Sequence, residues 1–268
     1  MAISLFDSTV DARGPDSGRA DVWWASLADL QPAHVMLLDD VERDRADRFV
    51  RDADRRRFIL GVAMTRRVLA GILRIPAADV PLDRECADCA RPHGRPRLDA
   101  ERLGERFDAE ADPEQRLDFS LSHSGDWIAL LVGRGMQVGV DVEELADAAD
   151  LPSVAQNVLT DEELADVRRG ADGKSDQFDV RRFFDYWVAK ESVLKATGDG
   201  LGEPMKAVSV MPLAQSWGRA RLGFRPETAA VVQRLEAPPG YVAAATTLTS
   251  ERVLIESRSG FATRITGA

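Results

Sequence analysis

The sequence of 268 residues contains only two cysteines, Cys86 and Cys89, which is too few for a scaffold stabilised by disulfides. No stretch approaches the roughly 18 consecutive apolar residues of a membrane-spanning helix, and the N-terminus lacks the basic and apolar segments of a secretory signal. Net positive charge is also missing: the formal charge is −10, whereas general nucleic-acid binding needs a basic surface. These absences predict a soluble, cytoplasmic protein that binds neither nucleic acid nor a membrane.

The two cysteines lie close in sequence to a histidine. Cys86, Cys89 and His93 form a Cys-x2-Cys-x3-His pattern, which is half of a typical zinc site. Because no fourth ligand is evident, the pattern is compatible either with structural zinc or with a reduced thiol pair in a loop.

Positive charge is concentrated in one segment of this acidic chain. Between Arg43 and Arg74 there are ten arginines and four acidic residues. Such a segment suggests a small polyanionic ligand or an acidic partner. An Arg-rich, solvated helix face would give the same pattern.

Hydrophobic spacing predicts a mixed α+β protein. We expect a loose leader at 1–20, a polar inserted connection at 99–117 and a tail at 251–268. The periodicity further predicts two strands within 23–38, a helix near 40–50, a long helix over 54–73, a three-strand meander (119–122, 127–132 and 138–143), two short helices within 145–170 and a helix around 181–195.

The two halves of the chain share weak internal similarity. Arg56-Arg57-Phe58 and Val68-Leu69 match Arg181-Arg182-Phe183 and Val193-Leu194 at one constant offset. We therefore expect two similar α+β halves, one at residues 21–138 and the other at residues 139–250. Related halves that pack together leave a cleft, where ligands usually bind, and we expect acidic and basic groups to converge there.

Two carboxylates fall on one face of a predicted strand. The three valines of 138–143 point one way, and Gly139, Asp141 and Glu143 point the other way. Positions two apart on a strand are roughly 7 Å apart, so both acids are within reach of a single cation. A solvated outer face of a sheet is the ordinary alternative.

A third carboxylate falls on the apolar face of the later helix. With about 100° per residue, Phe184, Trp187 and Leu194 belong to one apolar stripe, and Glu191 and Lys195 lie in its middle. A charge in that position needs compensation. A simple i,i+4 ion pair between Glu191 and Lys195 is the alternative.

The three acids Asp141, Glu143 and Glu191 would form an all-oxygen site, which suits Mg²⁺ together with a phosphate-bearing ligand. Lys190 and Lys195 would place positive charge beside this site. Metal and lysine together are the groups that stabilise charge in phosphoryl transfer.

His123 follows Ser122 in a turn at the end of a predicted strand. In the predicted meander it lies one strand away from Asp141, where it is placed to donate a hydrogen bond to a phosphate. A surface histidine in a turn is the alternative.

Three motifs occur in order along the chain. They are Phe119-Ser-Leu-Ser-His-Ser-Gly-Asp-Trp127, Val138-Gly-Val-Asp-Val-Glu143 and Phe184-x2-Trp187-x2-Lys190-Glu191-Ser192-x2-Lys195, the last followed by Gly198-x-Gly200-Leu201. Their combination resembles the surfactin-synthetase-type 4′-phosphopantetheinyl transferases, and the resemblance spans roughly residues 20 to 250.

The resemblance implies a pseudo-twofold pair of α+β halves, usually monomeric, that binds coenzyme A and Mg²⁺ between the halves. In this family a carrier-protein serine attacks the β-phosphate of coenzyme A, and adenosine 3′,5′-bisphosphate leaves. By motif position, Asp141, Glu143 and Glu191 would hold Mg²⁺, and Glu191 would also act as the base. Lys195 would neutralise the leaving phosphate.

The resemblance also implies a set of coenzyme A contacts. Ser122 and His123 would contact its phosphates, with His123 assisting catalysis, and Arg95 would replace a family lysine. Arg45 and Arg57 would contact the 3′-phosphate or the adenine. The implied coenzyme-binding set also includes Asp141, Lys190 and Lys195. Two residues depart from the family pattern, Phe58 in place of a hydroxyl residue and Glu42 in place of a lysine.

The implied partners are coenzyme A and apo acyl, peptidyl or aryl carrier proteins, as used in fatty acid, polyketide and nonribosomal peptide synthesis. The Arg-rich segment and the helices within 145–170 are candidate docking surfaces, although the apolar residues of those helices also fit a core. A Mg²⁺-dependent phosphohydrolase or nucleotidyl transferase is the alternative function, and a non-catalytic carrier-binding relative is a third.

Overall fold

A computed structural model of the chain describes residues 14–85, 94–104, 112–146, 150–169, 178–210 and 216–258. The chain divides into two compact units, one formed by Met1–Gly135 with Leu254–Ala268 and the other by Met136–Val253. Each unit combines helices with a sheet, which confirms the α+β prediction. Cys86, Cys89 and His93, as well as most of the predicted leader and residues 105–111 of the predicted insert, lie outside the described residues.

The first unit is built around a four-stranded sheet. Its main strands are β1 (Arg19–Ser26), β4 (Leu117–Ser124), β5 (Trp127–Arg134) and β11 (Leu254–Arg258), in the order β11-β1-β5-β4. A small hairpin is formed by β2 (Leu82–Asp83) and β3 (Arg97–Leu98). The helices are α1 (Asp40–Asp47), α2 (Asp52–Leu73) and the short α3 (Ala100–Leu103).

The long helix α2 follows from the apolar spacing of its sequence. Its buried face, which includes Leu60, Met64 and Val68, packs with Trp23 and Phe119 of the sheet in one hydrophobic core. The helix ends at Leu73, because Arg74 adopts a left-handed conformation with φ 56°. The predicted helices near 40–50 and over 54–73 are therefore confirmed.

The second unit carries a five-stranded sheet in the order β6-β10-β9-β8-β7. Its strands are β6 (Val138–Glu144), β7 (Val208–Val210), β8 (Trp217–Leu222), β9 (Ala230–Arg234) and β10 (Tyr241–Thr247). Its helices are α4 (Leu151–Val158), α5 (Asp161–Arg168) and α6 (Val180–Thr197), of which α6 packs on β6 and β10. Leu151, Leu159 and Val167 are buried in the same core as α6, so the apolar face of α4 and α5 belongs to the interior.

Three predictions about the strands are wrong. The second strand expected within 23–38 is replaced by two 3-10 turns, Leu27–Asp29 and Pro32–Leu37. Ser26 and Asp29 cap the first turn reciprocally, and Pro32 at the start of the second turn has no backbone N–H to donate to a strand ladder. The expected three-strand meander is interrupted, because β6 pairs with β10 of the second unit rather than with β5. The expected tail instead forms β11, which pairs in parallel with β1.

The division into units also differs slightly from the predicted halves, since the second unit begins at Met136 and the first unit regains the chain at Leu254. Among the described residues, no helix is long and apolar enough to cross a bilayer.

Candidate active site

Strand β6 places Asp141 and Glu143 in the second unit. Asp141 is 3% exposed and lies opposite Ala244 of β10, whereas Glu143 is half-buried and lies opposite Val242. Because alternate residues of a strand share a face, both acids point to the same side as Gly139. That side carries α6, so the solvated outer face considered for this strand is not what the structure forms.

Gly139 allows α6 to approach β6 very closely. A Cβ at this position would lie 2.0 Å from the backbone oxygen of Ser192 and 2.5 Å from the backbone nitrogen of Ala196. Both contacts are backbone atoms of α6, which cannot rotate away as a side chain would. The absence of a side chain at Gly139 therefore sets the spacing between the strand that carries two acids and the helix that carries the third.

Helix α6 supplies Glu191 and, one turn later, Lys195. The Lys195 Nζ lies 2.6 Å from Asp141 Oδ1 and donates a hydrogen bond to it, which links the helix to β6. Burial raises the pKa of Glu191, the nearby charge of Asp141 raises it further, Lys195 lowers it, and Glu143 raises it. The three predicted acids and Lys195 thus interact electrostatically within one unit.

The geometry of this acidic cluster differs from that of a preformed metal centre. Over the described residues, no three or more His, Cys, Asp or Glu side chains are gathered closely enough to hold a metal ion. Asp141 is instead bound by the Lys195 ammonium. The donor set still fits Mg²⁺ in its chemistry, because all three groups are carboxylates and their mutual repulsion would be relieved by a divalent cation.

Lys190 does not lie beside the acidic cluster as predicted. It is completely buried, with its Nζ 2.6 Å from Glu163 Oε2 and within hydrogen-bond distance of the backbone oxygens of Met205 (3.1 Å) and Val208 (2.6 Å). Three acceptors use the three hydrogens of the ammonium, so a ligand has no access to it. The prediction that Lys190 contacts a cofactor is wrong for this geometry, because its charge is neutralised inside the second unit.

Glu163 is a residue that the motifs did not single out. It closes a capping box with Thr160 at the start of α5, and the Thr-x-x-Glu spacing is the sequence signal that marks it. The spacing alone does not reveal the pairing with Lys190, since the two residues belong to different helices.

Ser122 and His123 lie in the first unit, near the end of β4. Ser122 is buried and faces Ala129 of β5 across the ladder, whereas His123 is exposed and lies opposite Ile128. The meander that was expected to join them to Asp141 in one sheet is not formed.

The three predicted arginines also belong to the first unit and already have contacts there. Arg57 donates from Nε to the Gly125 oxygen at 2.7 Å and pairs with Asp54 at 2.5 Å. Arg45 lies over the ring of Phe58, with 5.3 Å between its Cζ and the ring centroid.

Arg95 is half-buried beside β4. It donates to the carboxylate of Asp118 at 2.8 Å and to the backbone oxygen of Phe119 at 2.7 Å. These contacts hold Arg95 against the strand that carries Ser122 and His123.

Comparison with known protein families gives matches over both units. The family described as 4′-phosphopantetheinyl transferase, N-terminal, matches residues 21–134, and the 4′-phosphopantetheinyl transferase superfamily matches residues 137–246.

Individual relatives carry corresponding names. The 4′-phosphopantetheinyl transferase HetI of Nostoc sp. is 34% identical over 65% of this chain and 65% of its own length. A phosphopantetheinyl transferase of Thraustochytrium sp. is 31% identical over 64% of this chain and 56% of its own length. The L-aminoadipate-semialdehyde dehydrogenase-phosphopantetheinyl transferase of Rattus norvegicus is 28% identical over 74% of this chain and 58% of its own length. The matches thus span less than two thirds of the length of these relatives.

Proposed function

This chain belongs to the 4′-phosphopantetheinyl transferase superfamily, and we propose that it transfers the 4′-phosphopantetheine arm of coenzyme A to a serine of an apo carrier protein. In this reaction the serine oxygen bonds to the β-phosphorus of coenzyme A, the pyrophosphate bond breaks, and adenosine 3′,5′-bisphosphate leaves. The observation that best supports the proposal is the interacting set of Asp141, Glu143, Glu191 and Lys195, which occupies the motif positions.

In this proposal Asp141, Glu143 and Glu191 hold Mg²⁺. The chemistry of three carboxylates supports the assignment. Burial raises the pKa of Glu191 most, and the charges of Asp141 and Glu143 raise it further, so the negative charges of these acids act on one another. When bound, the metal would supply positive charge beside the pyrophosphate oxygens. Binding requires Asp141 to share or exchange its contact with Lys195, since that ammonium lies 2.6 Å from one of its oxygens.

Glu191 is proposed as the base that accepts the proton of the attacking serine. Burial and Asp141 raise its pKa, and a carboxylate with a raised pKa is a stronger proton acceptor. Lys195, one turn further along α6, is proposed to stabilise the charge that develops on the leaving phosphate. Both roles depend on a helix that is closely packed on β6 at Gly139.

The first unit is proposed to supply coenzyme A contacts through Ser122, His123 and three arginines, which are Arg45, Arg57 and Arg95. The position of His123 at an exposed strand end supports its proposed role, which is to contact a phosphate and assist catalysis. The charge and planar geometry of the arginines suit phosphate groups. Arg57 would have to share its present contacts with Gly125 and Asp54.

Coenzyme A and apo acyl, peptidyl or aryl carrier proteins are the proposed partners, within the surfactin-synthetase type of the superfamily. We further propose a cytoplasmic monomer with a role in polyketide or nonribosomal peptide synthesis. The cysteine content supports a reducing compartment.

The test is a panel of purified apo carrier proteins incubated with the chain, coenzyme A and Mg²⁺. Mass spectrometry should show one added phosphopantetheine group on a carrier, and EDTA should prevent the addition. E191Q should abolish transfer while circular dichroism and the melting temperature stay close to those of the unaltered protein. Lack of modification across all three carrier types would contradict the proposal, and release of phosphate from nucleotides without a carrier would support a phosphohydrolase instead.

A further inference from the structure

Glu163 joins three elements of the second unit. Its side chain is buried, and its Oε1 accepts a hydrogen bond from the backbone nitrogen of Val210 in the strand β7 at 2.8 Å. Its Oε2 accepts from the backbone nitrogen of Thr160 at 2.8 Å and lies 2.6 Å from Lys190 Nζ. One carboxylate therefore connects α5, β7 and α6.

Lys190 completes this connection from the side of α6. Besides Glu163 it reaches the backbone oxygens of Met205 and Val208, which lie before and at the start of β7. These three acceptors surround the ammonium. Glu163 precedes Lys190 in the sequence, whereas Met205 and Val208 follow it. Rotation of α6 about its axis, or a slide along that axis, would therefore break at least one of these bonds.

The residue after Glu191 is anchored as well. The Ser192 Oγ is completely buried, donates to the Ala189 oxygen at 2.7 Å and lies 2.7 Å from Thr246 Oγ1 of β10. Glu191 is thus flanked in sequence by two fully buried polar residues, each of which ties α6 to a different strand of the sheet.

The ionic character of the Glu163–Lys190 pair is difficult to explain by stability alone. Buried ion pairs are costly to desolvate, and apolar residues of similar size are often as stabilising. An ion pair adds geometric specificity, because the two charged groups attract each other well only at one separation and orientation. A pair of this kind next to Glu191 fixes that residue more precisely than apolar packing would.

We infer that Glu163 and Lys190 are positioning residues that fix the rotation of α6 and thereby hold the Glu191 carboxylate in place beside Asp141. The inference rests on the proposed function, in which Glu191 is a metal ligand and the base. Lys190 then acts through its neighbour in the chain and does not touch the substrate.

The experiment compares the E163Q/K190M double variant with Y186F. The double variant removes both charges, keeps the length of the side chain at position 163 and shortens the one at position 190 by a single atom. Because it leaves no unpaired buried charge, it should unfold at a higher urea concentration than K190M alone. Y186F is the matched control, since it breaks another α5–α6 contact, the 3.0 Å hydrogen bond from Tyr186 Oη to Asp166, one turn before Lys190.

The readouts are Mg²⁺ binding in the presence of coenzyme A without a carrier, measured by calorimetry, and the kinetics of transfer. In the double variant, the Mg²⁺ concentration for half-saturation should rise by about tenfold and kcat should fall by about tenfold or more, as is typical when a residue behind a metal ligand is changed. The KM for the carrier protein should stay unchanged, and Y186F should match the unaltered protein in every readout.

Native Mg²⁺ binding and kcat in a folded double variant would overturn the inference, as would an equal loss in Y186F. If the double variant does not fold, E163D decides the question, because it keeps the charge and shortens the arm by one methylene. It should also weaken Mg²⁺ binding, and native binding in E163D would overturn the inference. Failure of the unaltered protein to modify any carrier would contradict the proposed function separately, while the calorimetric comparison would still test the positioning.

Discussion

Gly139 offers the sharpest test of how the second unit forms its acidic cluster. In G139A, the added Cβ would lie 2.0 Å from the Ser192 oxygen and 2.5 Å from the Ala196 nitrogen. A carbon and a backbone oxygen ordinarily approach to about 3.3 Å. Helix α6 and strand β6 would therefore have to separate by more than about 1 Å, because neither backbone atom can move independently of its helix.

The magnitude follows from the cost of overpacking. Added methyl groups in packed interiors cost about 1–3 kcal/mol and sometimes more, and a clash with two backbone atoms belongs at the upper end of that range. A loss of about 3 kcal/mol corresponds to a melting temperature lowered by roughly 6–12 °C in a chain of this size. The same displacement would move Glu191 away from Asp141, and misplacement by about 1 Å can reduce turnover by about a hundredfold.

The assay is differential scanning calorimetry together with transfer to an apo carrier. G202A is the matched control, since a Cβ at Gly202 would meet no atom within 4 Å and no positive φ is required there. G202A should melt at or slightly above the temperature of the unaltered protein, because alanine restricts the unfolded chain. If G139A has the same melting temperature and the same rate of transfer as G202A, the close approach does not set the spacing of β6 and α6, and the reasoning is refuted.

The remaining predictions concern three other side chains. K195M should lower kcat by about a hundredfold or more, since it removes the charge next to Asp141, and native kcat in that variant would contradict its role. E42Q should lower the free energy of unfolding in urea by about 3 kcal/mol, because Arg66 is buried against Glu42 at 2.9 Å, and an unchanged midpoint would show that Asp39 suffices as a partner. Burial, followed by the charge of Arg67, lowers the pKa of His34 to about 4, so the folded protein binds a proton less readily than the unfolded chain. Stability should therefore fall from pH 6.5 to pH 4, by at most about 1.4 kcal/mol per pH unit, and H34N should flatten this dependence in urea titrations; an equal slope in H34N would assign it to other groups.

The local elements of the fold could be predicted, whereas the pairing of strands that are distant in sequence could not. Helix α2 follows from the spacing of apolar residues such as Leu60, Met64 and Val68, and the strands β4 and β5 follow from alternation around a short turn. By contrast, β11 pairs with β1 at the opposite end of the chain, and β6 pairs with β10. Nothing in the sequence near Leu254 indicates a partner that distant, because the ladder depends on backbone groups that every residue carries.

The residues of the acidic cluster could be predicted because their spacing is local to one strand and one helix. Asp141 and Glu143 are two positions apart on β6, and Glu191 and Lys195 are four positions apart on α6. Those intervals alone place each pair on one face. The ion pair of Lys195 with Asp141 depends on how closely α6 approaches β6, which only the structure shows.

The helical period explains why the two lysines of the third motif have different environments. Five residues separate Lys190 from Lys195, and at about 100° per residue this turns the second side chain by about 140° from the first. Glu191 and Lys195 differ by only about 40° on the same scale, so they share a face that Lys190 cannot share. Lys190 instead falls on the face of Phe183 and Val193, which are completely buried in the core of the second unit. A charged residue on such a face requires a buried counter-charge, and Glu163 supplies it from α5.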